Sequence, residues 1–231
     1  MFQAKLVSRT DLTSSVFLLR FHAPGFQWIP GQFTNLWIPV ELHGTVTKKR
    51  KSYTIASVAG DDHFELCIKE VAGGLTSAIL SKAEPGQVFE CDGPLGHFTL
   101  HDFSNELLFL GTGTGVSPFR TFLQHLDKEG SSRPVTLVFG VRSEKDLFFH
   151  DEFTKLAEKH PWFSYIPTLS RPGDSWTGKT GYVQTHLKEL VNDPLAVDVY
   201  LCGLVPMVSA AAEKCKEIGI PRENVVREVY T

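Results

Sequence analysis

Hydrophobic and polar positions alternate over short stretches in the first hundred residues of the chain. These stretches are rich in β-branched and aromatic residues, and turn signals such as the Pro-Gly pairs at 24–25, 30–31 and 85–86 separate them. Strands at this short, regular spacing are typical of an antiparallel barrel or sandwich. We therefore predict one helix at 75–81 and six strands, at 2–7, 15–21, 32–38, 52–56, 63–69 and 87–91.

The pattern changes beyond about residue 102, where apolar runs of strand length alternate with helical periodicity. We predict strands at 106–110, 135–139, 162–167, 197–201 and 225–229, and helices at 118–126, 150–158, 183–190 and 207–218. Alternating β and α units imply a parallel sheet with helices on both faces. The predicted fold class is a two-domain chain: an antiparallel β-barrel at 1–101, followed by an α/β parallel-sheet domain at 102–231.

The first strand of the second half ends in three alternating glycines, Gly111, Gly113 and Gly115, and a helical pattern follows them. Glycine is needed where the backbone turns tightly or approaches a ligand closely. A strand that turns into a helix N-terminus offers unpaired N–H groups and a positive dipole end to a phosphate. The spacing is neither the Rossmann G-x-G-x-x-G nor the lysine-bearing P-loop. A purely structural tight turn therefore remains an alternative explanation.

Composition and charge narrow the classes of function. The chain has 231 residues, 42% of them hydrophobic, and a formal net charge of −3, so it can form two ordinary domains but carries no basic stripe for nucleic acid. Its densest basic run, at 48–51, is either a solvated hairpin edge or an anion contact. The four cysteines are far apart, which argues against zinc, iron–sulfur and disulfide frameworks. With no signal peptide and no apolar run of membrane-spanning length, we expect a cytoplasmic protein without a metal.

Four further segments carry candidate chemistry, although each has an ordinary structural explanation as a strand, a helix cap or an edge charge. Taken in order with the glycine loop, they resemble the ferredoxin–NADP reductase superfamily of flavoprotein reductases. The marks of that superfamily are an R-x-Y-[ST] strand, a G-x-x-S helix start, a G-T-G-T-G-x-x-P-F-R loop, a C-G-x-x-x-M segment and a terminal acidic–aromatic pair. This chain carries them as Lys51-Ser52-Tyr53-Thr54, Gly74-Leu75-Thr76-Ser77, residues 111–120, Cys202-Gly203 with Met207, and Glu228-Val229-Tyr230.

The resemblance implies a bound FAD. Tyr53 would lie flat on the isoalloxazine ring, and Thr54 would bring its hydroxyl to the flavin N5 atom. The flavin pyrophosphate would be held by Thr76, Ser77 and the backbone N–H groups after Gly74. The arginine of the motif is replaced here by Lys51, with Arg50 one position earlier. Lysine cannot form the bidentate fork of arginine, and strand alternation directs the two residues to opposite faces, so either could meet the phosphate.

The same resemblance implies a second nucleotide, the hydride donor NADPH or NADH. Cys202 would lie beside the nicotinamide C4 atom, and Glu228 would close the site. The ring of Tyr230 would occupy the place of the nicotinamide until the dinucleotide arrives, and Thr231 adds one residue after that ring. The pyrophosphate of the dinucleotide would lie on the glycine loop and the start of its helix, through Gly111, Thr112, Gly113, Thr114, Gly115 and Pro118.

The choice between NADPH and NADH depends on residues that would meet the 2′-phosphate. A phosphate monoester favours arginine forks and hydroxyl donors. The resemblance assigns this role to Ser170 and Arg171, followed by Lys179 and Tyr182, with Arg142 on the adenosine side. NADH-using members carry similar Ser-Arg-Pro stretches, so the sequence favours NADPH only slightly.

These inferences predict an oxidoreductase that transfers hydride from NAD(P)H to FAD and then electrons to a ferredoxin- or flavodoxin-type acceptor or another acceptor. Thr54, Cys202 and Glu228 are its candidate catalytic residues. Two alternatives are a free-flavin reductase and the reductase component of a multi-protein oxygenase. A third is a nucleotide-sensing module that has lost the redox step. The expected partners are the dinucleotide and an electron-accepting protein or small molecule.

Overall fold

The computed structural model describes residues 1–42, 44–101 and 105–230 of the chain. They form two compact units: the first comprises the described residues of Met1–Leu100 with Arg120–His125, and the second comprises those of His101–Phe119 with Leu126–Thr231. The predicted second domain begins at residue 102, which lies outside the described residues, as does Thr231.

The first unit is a six-stranded antiparallel sheet with strand order β4-β3-β6-β1-β2-β5. A bridge between Ile55, the residue after β4, and Leu66 of β5 brings the two edges of the sheet together at one end and curls it into a half-barrel. This confirms the predicted antiparallel β-fold. Its elements are β1 (Phe2–Asp11), β2 (Val16–His22), β3 (Phe33–Leu42), β4 (Thr45–Thr54), β5 (His63–Lys69), α1 (Leu75–Leu80) and β6 (Val88–Leu95).

Strand β3 shows how the sequence pattern produces the inner face of this sheet. Its alternate residues Leu36, Ile38 and Val40 are at most 1% exposed and belong to the core. Burying a side chain of this size stabilises the fold by about 1.5–3 kcal/mol relative to leaving it exposed. The neighbouring edge strand β4 is exposed along its first eight residues. Only its end was predicted from the sequence, because a strand with solvent on both faces shows no apolar alternation.

The second unit is a six-stranded parallel sheet with strand order β10-β9-β8-β7-β11-β12. This confirms the predicted α/β class. The chain moves outward from β7 in one direction and then returns to place β11 on its other side, so the sheet changes direction between β7 and β11. The elements are β7 (Glu106–Thr112), α2 (Ser117–Glu129), β8 (Val135–Val141), α3 (His150–Lys159), β9 (Phe163–Leu169), β10 (Lys179–Thr180), α4 (Leu187–Leu190), β11 (Val197–Leu204), α5 (Val205–Glu217) and β12 (Val225–Tyr230).

Helices cover both faces of the parallel sheet. On one face, Phe109 of β7 stacks on Phe119 of α2, with ring centroids 4.9 Å apart. On the other face, Leu108 and Leu201 belong to a core cluster that also contains Leu187 of α4 and Val208 of α5. A strand that is buried on both sides needs a continuous apolar run, which explains the run Leu107 to Leu110.

In the second unit, the clearest differences from the sequence prediction concern the helix after β10, the start of α5 and β10 itself. The helix expected at 183–190 is a 3₁₀ turn, Val183–His186, followed by the single turn α4. Helix α5 begins at Val205, before the predicted position 207, because Pro206 is tolerated in the first turn of a helix. The two-residue strand β10 has no periodicity that a sequence could show. Among the described residues, no helix is long and apolar enough to cross a membrane.

Candidate functional site

Tyr53 lies near the end of β4 in the first unit. It is half-buried against the core cluster, and its hydroxyl forms a hydrogen bond with the side chain of Thr76 at the start of α1. Burial raises the pKa of Tyr53 to about 12, and the hydrogen bond with Thr76 opposes that rise. The phenol is therefore neutral at physiological pH. The fold thus connects two predicted cofactor residues that are well separated in sequence.

The register of β4 against β3 shows which face of the sheet each of the two basic side chains leaves from. Lys51 lies opposite Leu36, and Arg50 lies opposite Trp37. Because side chains alternate along a strand, Lys51 leaves β4 on the same face as Tyr53, which is the face of the core residue Leu36, and Arg50 leaves on the other face. Both side chains are exposed. The next residue along the strand, Thr54, is 7% exposed and lies opposite Phe33.

The start of α1 is built around Gly74 and Ser77. A Cβ atom on Gly74 would lie 2.7 Å from Ser77 Oγ and 3.0 Å from the oxygen of Val71, so the turn requires glycine here. The Ser77 hydroxyl donates to the oxygen of Gly74 and accepts from the N–H of Val71, both at 3.1 Å. Its single proton is therefore used within the turn. The N–H groups of the first helical turn, which have no intrahelical acceptor, are the donors left for an anion.

The glycines of the loop in the second unit serve different purposes. A Cβ on Gly115 would lie 2.7 Å from the carbonyl carbon of Cys202 and 2.8 Å from Gly203 Cα, and closer still to the Cys202 oxygen. A Cβ on Gly111 would lie 3.0 Å from the ring of Phe119. Gly113 has a φ of +53°, and none of the described atoms lies within 4 Å of its Cβ position. Gly115 and Gly111 therefore allow close packing, whereas Gly113 borders open space.

The loop continues into a helix whose start is buried. The 3₁₀ turn Gly113–Val116 leads directly into α2, with Pro118 in the first turn of that helix. The Ser117 hydroxyl donates to the oxygen of Thr114 at 2.8 Å. Thr112 and Thr114 are half-exposed. A helix of 13 residues directs its positive dipole end at this loop, and that arrangement suits a phosphate group.

The parallel register places Cys202 of β11 directly beside Glu228 of β12. The Cys202 thiol is fully buried and has a hydrogen bond with Tyr230. Burial raises the pKa of this thiol well above its ordinary value, the charge of Glu228 raises it further, and the bond with Tyr230 opposes both. The thiol is therefore protonated and non-nucleophilic at neutral pH. Three predicted site residues from two distant segments form one cluster.

The surroundings of Gly203 explain why a glycine follows Cys202. Its φ is +156°, and a Cβ there would lie 2.7 Å from the methyl carbon of Met207 and closer still to the hydroxyl of Thr112. The glycine loop and the end of β11 thus pack backbone against backbone. Ligands of open parallel sheets bind at this point, outside the carboxyl ends of the strands where the strand order reverses.

The ends of β8 and β9 bring two predicted arginines together. The N–H of Arg171 donates to the oxygen of Arg142 at 2.7 Å, and the N–H of Ser170 donates to the oxygen of Val141 at 3.1 Å. Both arginine side chains are exposed. The Lys179 ammonium instead forms an ion pair with Glu189, at 2.8 and 2.9 Å from its two oxygens. Glu189 was missed in the sequence, where a carboxylate in a short helical pattern carries no distinguishing signal.

These residues fit the two nucleotides implied by the sequence. Open space beside Gly113, next to a helix N-terminus, suits a pyrophosphate. The half-buried ring of Tyr53 offers a surface on which an aromatic cofactor can stack. Within the described residues, no group of three or more histidine, cysteine or acidic side chains could hold a metal ion.

Comparisons with known proteins agree with this fold and with the two nucleotides predicted for it. The Oxidoreductase FAD-binding domain family matches residues 3–100, and the Oxidoreductase NAD-binding domain family matches residues 109–213. Ferredoxin--NADP reductase B of Sorangium cellulosum (strain So ce56) is 38% identical over 99% of this chain and 97% of its own length. The toluate 1,2-dioxygenase electron transfer component of Pseudomonas putida is 30% identical over 99% of this chain and 67% of its own length.

Among solved structures, the cytochrome P450 reductase GcoB of Amycolatopsis superposes with a TM-score of 0.88 at 27% identity, over 100% of this chain and 69% of that one. Fold, site and comparisons together define a two-domain, flavin-dependent NAD(P)H oxidoreductase with FAD and NAD(P)H as its cofactors. The chain belongs to the ferredoxin–NADP reductase superfamily.

Proposed function

We propose that the chain moves a hydride from a nicotinamide dinucleotide to FAD and passes the electrons to a ferredoxin- or flavodoxin-type protein or another acceptor. FAD supplies the redox chemistry when it is bound, by taking a hydride and releasing electrons. The observation that carries the proposal is the cluster of Cys202, Glu228 and Tyr230 at the carboxyl edge of the parallel sheet, in backbone contact with the glycine loop.

The residues of each unit would divide the work of binding. In the first unit, proposed as residues 1–101, Tyr53 would stack on the flavin, and Thr54 would offer its hydroxyl to the flavin ring. Gly74, Thr76 and Ser77 would hold the flavin pyrophosphate through the first turn of α1. Ser77 contributes its backbone N–H, since its hydroxyl proton is already donated to Gly74.

In the second unit, proposed as residues 102–231, the dinucleotide pyrophosphate would lie beside Gly113 and the start of α2 at Pro118. Cys202 would present a neutral, compact thiol to the nicotinamide, and Glu228 would orient it from the neighbouring strand. Tyr230 would occupy the nicotinamide place until the dinucleotide binds. Such positioning contributes to rate because hydride transfer needs the donor and acceptor atoms about 3–3.5 Å apart.

The role of these residues is tested by rapid mixing of the FAD-loaded protein with NADPH or NADH without oxygen. Cys202→Ala and Glu228→Ala should each slow bleaching of the flavin by about tenfold or more, because a misplaced reactant costs up to about 10²-fold in rate. Both variants should remain folded and keep FAD. Wild-type rates of hydride transfer in both variants would remove these role assignments.

We further propose Lys51 as the residue that meets the flavin phosphate, because it is the basic residue nearest to Tyr53 on the same face of β4, whereas Lys49 lies two residues farther along that face. Lys51→Ala should weaken FAD binding by about tenfold, the value of one charge-assisted hydrogen bond. Arg50→Ala should lose less, and Lys49→Ala, which removes the same charge from the same strand, serves as the control. Equal losses in Lys51→Ala and Lys49→Ala would indicate general electrostatic attraction instead of a specific contact.

We propose NADPH as the preferred donor, since Arg142 and Arg171 present two guanidinium groups at neighbouring strand ends, with Ser170 directly before Arg171. Tyr182, with 66% of its surface exposed, is available to cover an adenine. A cytoplasmic location fits the four cysteines, which are buried and form no disulfide.

The nearest alternative is the reductase component of a multi-protein oxygenase, which the similarity to the toluate dioxygenase component supports. Another is a reductase that takes free flavin as a substrate. Gel filtration separates that case: a protein that holds FAD stays yellow, whereas a free-flavin reductase loses its colour. Reduction of ferricyanide by NADPH would exclude a module that only senses nucleotides.

A further inference from the structure

A second polar cluster lies at the carboxyl end of β9, beside the residues proposed to meet the adenosine. It consists of four side chains that we call the Lys179 cluster: Thr168, Lys179, His186 and Glu189. Strand β10 pairs with β9 so that Lys179 lies opposite Thr168. Thr168 precedes Ser170 by two positions in the sequence. The cluster therefore belongs to the edge of the sheet where ligands bind.

The side chains of the Lys179 cluster are linked by a continuous series of hydrogen bonds. The Lys179 ammonium donates to both oxygens of Glu189, at 2.8 and 2.9 Å. His186 Nδ1 lies 3.0 Å from Glu189 Oε1, and His186 Nε2 lies 3.0 Å from Thr168 Oγ1. The Thr168 hydroxyl also lies 3.2 Å from the oxygen of Gly181. Thr168 is fully buried and His186 is 8% exposed, so packing holds these two side chains of the cluster in place.

The donors and acceptors of the hydrogen bonds to Glu189 follow from its charge. A carboxylate only accepts hydrogen bonds, so Glu189 accepts them from the Lys179 ammonium and from the Nδ1–H of His186. The hydrogen bond from Lys179 and then that from His186 hold the pKa of the Glu189 carboxyl below its usual value. Glu189 is therefore ionised at neutral pH, and its position is set by a buried histidine.

The solvent-facing part of the Lys179 cluster is the ion pair between Lys179 and Glu189. The side chains of Lys179 and Glu189 are 46% and 45% exposed. An ion pair this exposed contributes little to stability, because water screens it, and it can open when a stronger anion competes. A phosphate monoester is such an anion. Glu189 competes with it for the ammonium and also repels it.

We propose that Glu189 is a positioning residue that determines dinucleotide specificity: by holding Lys179, it withholds that ammonium from a 2′-phosphate and limits the preference for NADPH over NADH. This inference rests on the proposed function, since it concerns the hydride donor. It also explains how Lys179 can lie at the carboxyl edge without being a free phosphate ligand. Arg142 and Arg171 then provide the preference for NADPH over NADH, and Glu189 keeps Lys179 from increasing it.

The direct test measures binding of adenosine 2′,5′-bisphosphate and adenosine 5′-monophosphate by calorimetry, which requires no redox turnover. Glu189→Gln should increase the ratio of the two affinities, in favour of the bisphosphate, by about tenfold, the effect of one additional contact to a charged group. The same variant should raise kcat/KM for NADPH relative to NADH by a similar factor. Glu217→Gln is the matched control, because Glu217 forms an exposed ion pair with Lys214 on α5, and its ratio should equal that of the wild type.

A second variant identifies the source of the gain. In Glu189→Gln combined with Lys179→Met, the ratio should return to the wild-type value, because the released ammonium is gone. An unchanged ratio in Glu189→Gln, or a gain that persists in the double variant, would overturn the inference. If the proteins bind both nucleotides as expected but neither NADPH nor NADH reduces the flavin, the proposed function fails while the binding role of Glu189 stands.

Discussion

The packing of the glycine loop yields a prediction whose size follows from the structure. A methyl group at position 115 would lie 2.7 and 2.8 Å from backbone atoms of Cys202 and Gly203. These distances are shorter than any van der Waals contact, and backbone atoms cannot rotate away as a side chain can. Relief requires the loop to separate from the end of β11. Overpacking a buried position costs typically 1–3 kcal/mol, so we expect Gly115→Ala to lose about 3 kcal/mol of unfolding free energy.

Gly113→Ala perturbs the neighbouring position in a different way. None of the described atoms lies within 4 Å of the added Cβ, so the variant carries only the cost of a φ of +53°, about 1 kcal/mol. Gly130→Ala is its matched control, since Gly130 has a φ of +70° and equally open surroundings but lies at the C-terminal cap of α2. Both should lose similar stability. Only Gly113→Ala should also raise KM for the dinucleotide, because its methyl would occupy space proposed for the pyrophosphate.

Thermal unfolding and steady-state kinetics separate these effects. For a chain of this length, each kcal/mol shifts Tm by about 2–4 °C. Gly115→Ala should therefore melt about 6–12 °C below the wild type, and the other two variants about 2–4 °C below it. If Gly115→Ala melts within 1 °C of the wild type, the close approach of loop and strand does not require glycine. If Gly113→Ala and Gly130→Ala show the same KM, Gly113 does not border the nucleotide.

Two further predictions concern protonation. Burial and a raised pKa keep the Cys202 thiol protonated, so it should resist iodoacetamide at pH 8 in the native protein and react after unfolding. Mass spectrometry of the labelled peptide measures this reaction, and rapid labelling of the native protein would contradict the prediction. The hydrogen bond from Lys159, followed by that from His160, lowers the pKa of Asp127, so its contribution is present above the ordinary aspartate pKa of about 3.9 and is lost as pH falls through the lower folded value. Asp127→Asn should cost up to about 1 kcal/mol at pH 7 and progressively less as pH falls below about 4, measured by urea unfolding; an equal loss at pH 7 and at pH 2 would contradict the assignment.

Local sequence patterns were sufficient for much of the architecture. The apolar run at Leu107 to Leu110 and its glycines predict a buried strand that turns into a helix, because strand burial and tight turns depend on neighbouring residues. The antiparallel and parallel halves followed in the same way from the spacing of strands and helices. The exposed start of β4 and the two-residue β10 escaped prediction, because neither has an apolar face that would leave a period in the sequence.

The assembly of the site depended on register and on pairing between distant segments, which no local pattern encodes. Strand alternation already places Lys51 on the face of Tyr53 and Arg50 on the other face, but only the pairing of β4 with β3 shows that the face of Lys51 and Tyr53 is that of the core residue Leu36. Cys202 meets Glu228 because β12 returns to lie beside β11 in one particular register. The resemblance assigned Lys179 to the 2′-phosphate, and it is the tertiary fold that brings the Glu189 carboxylate to it. Residue type and spacing thus determined the chemistry available to this protein, whereas strand pairing decided which groups act together, because a shift of one residue would turn each side chain to the other face of its sheet.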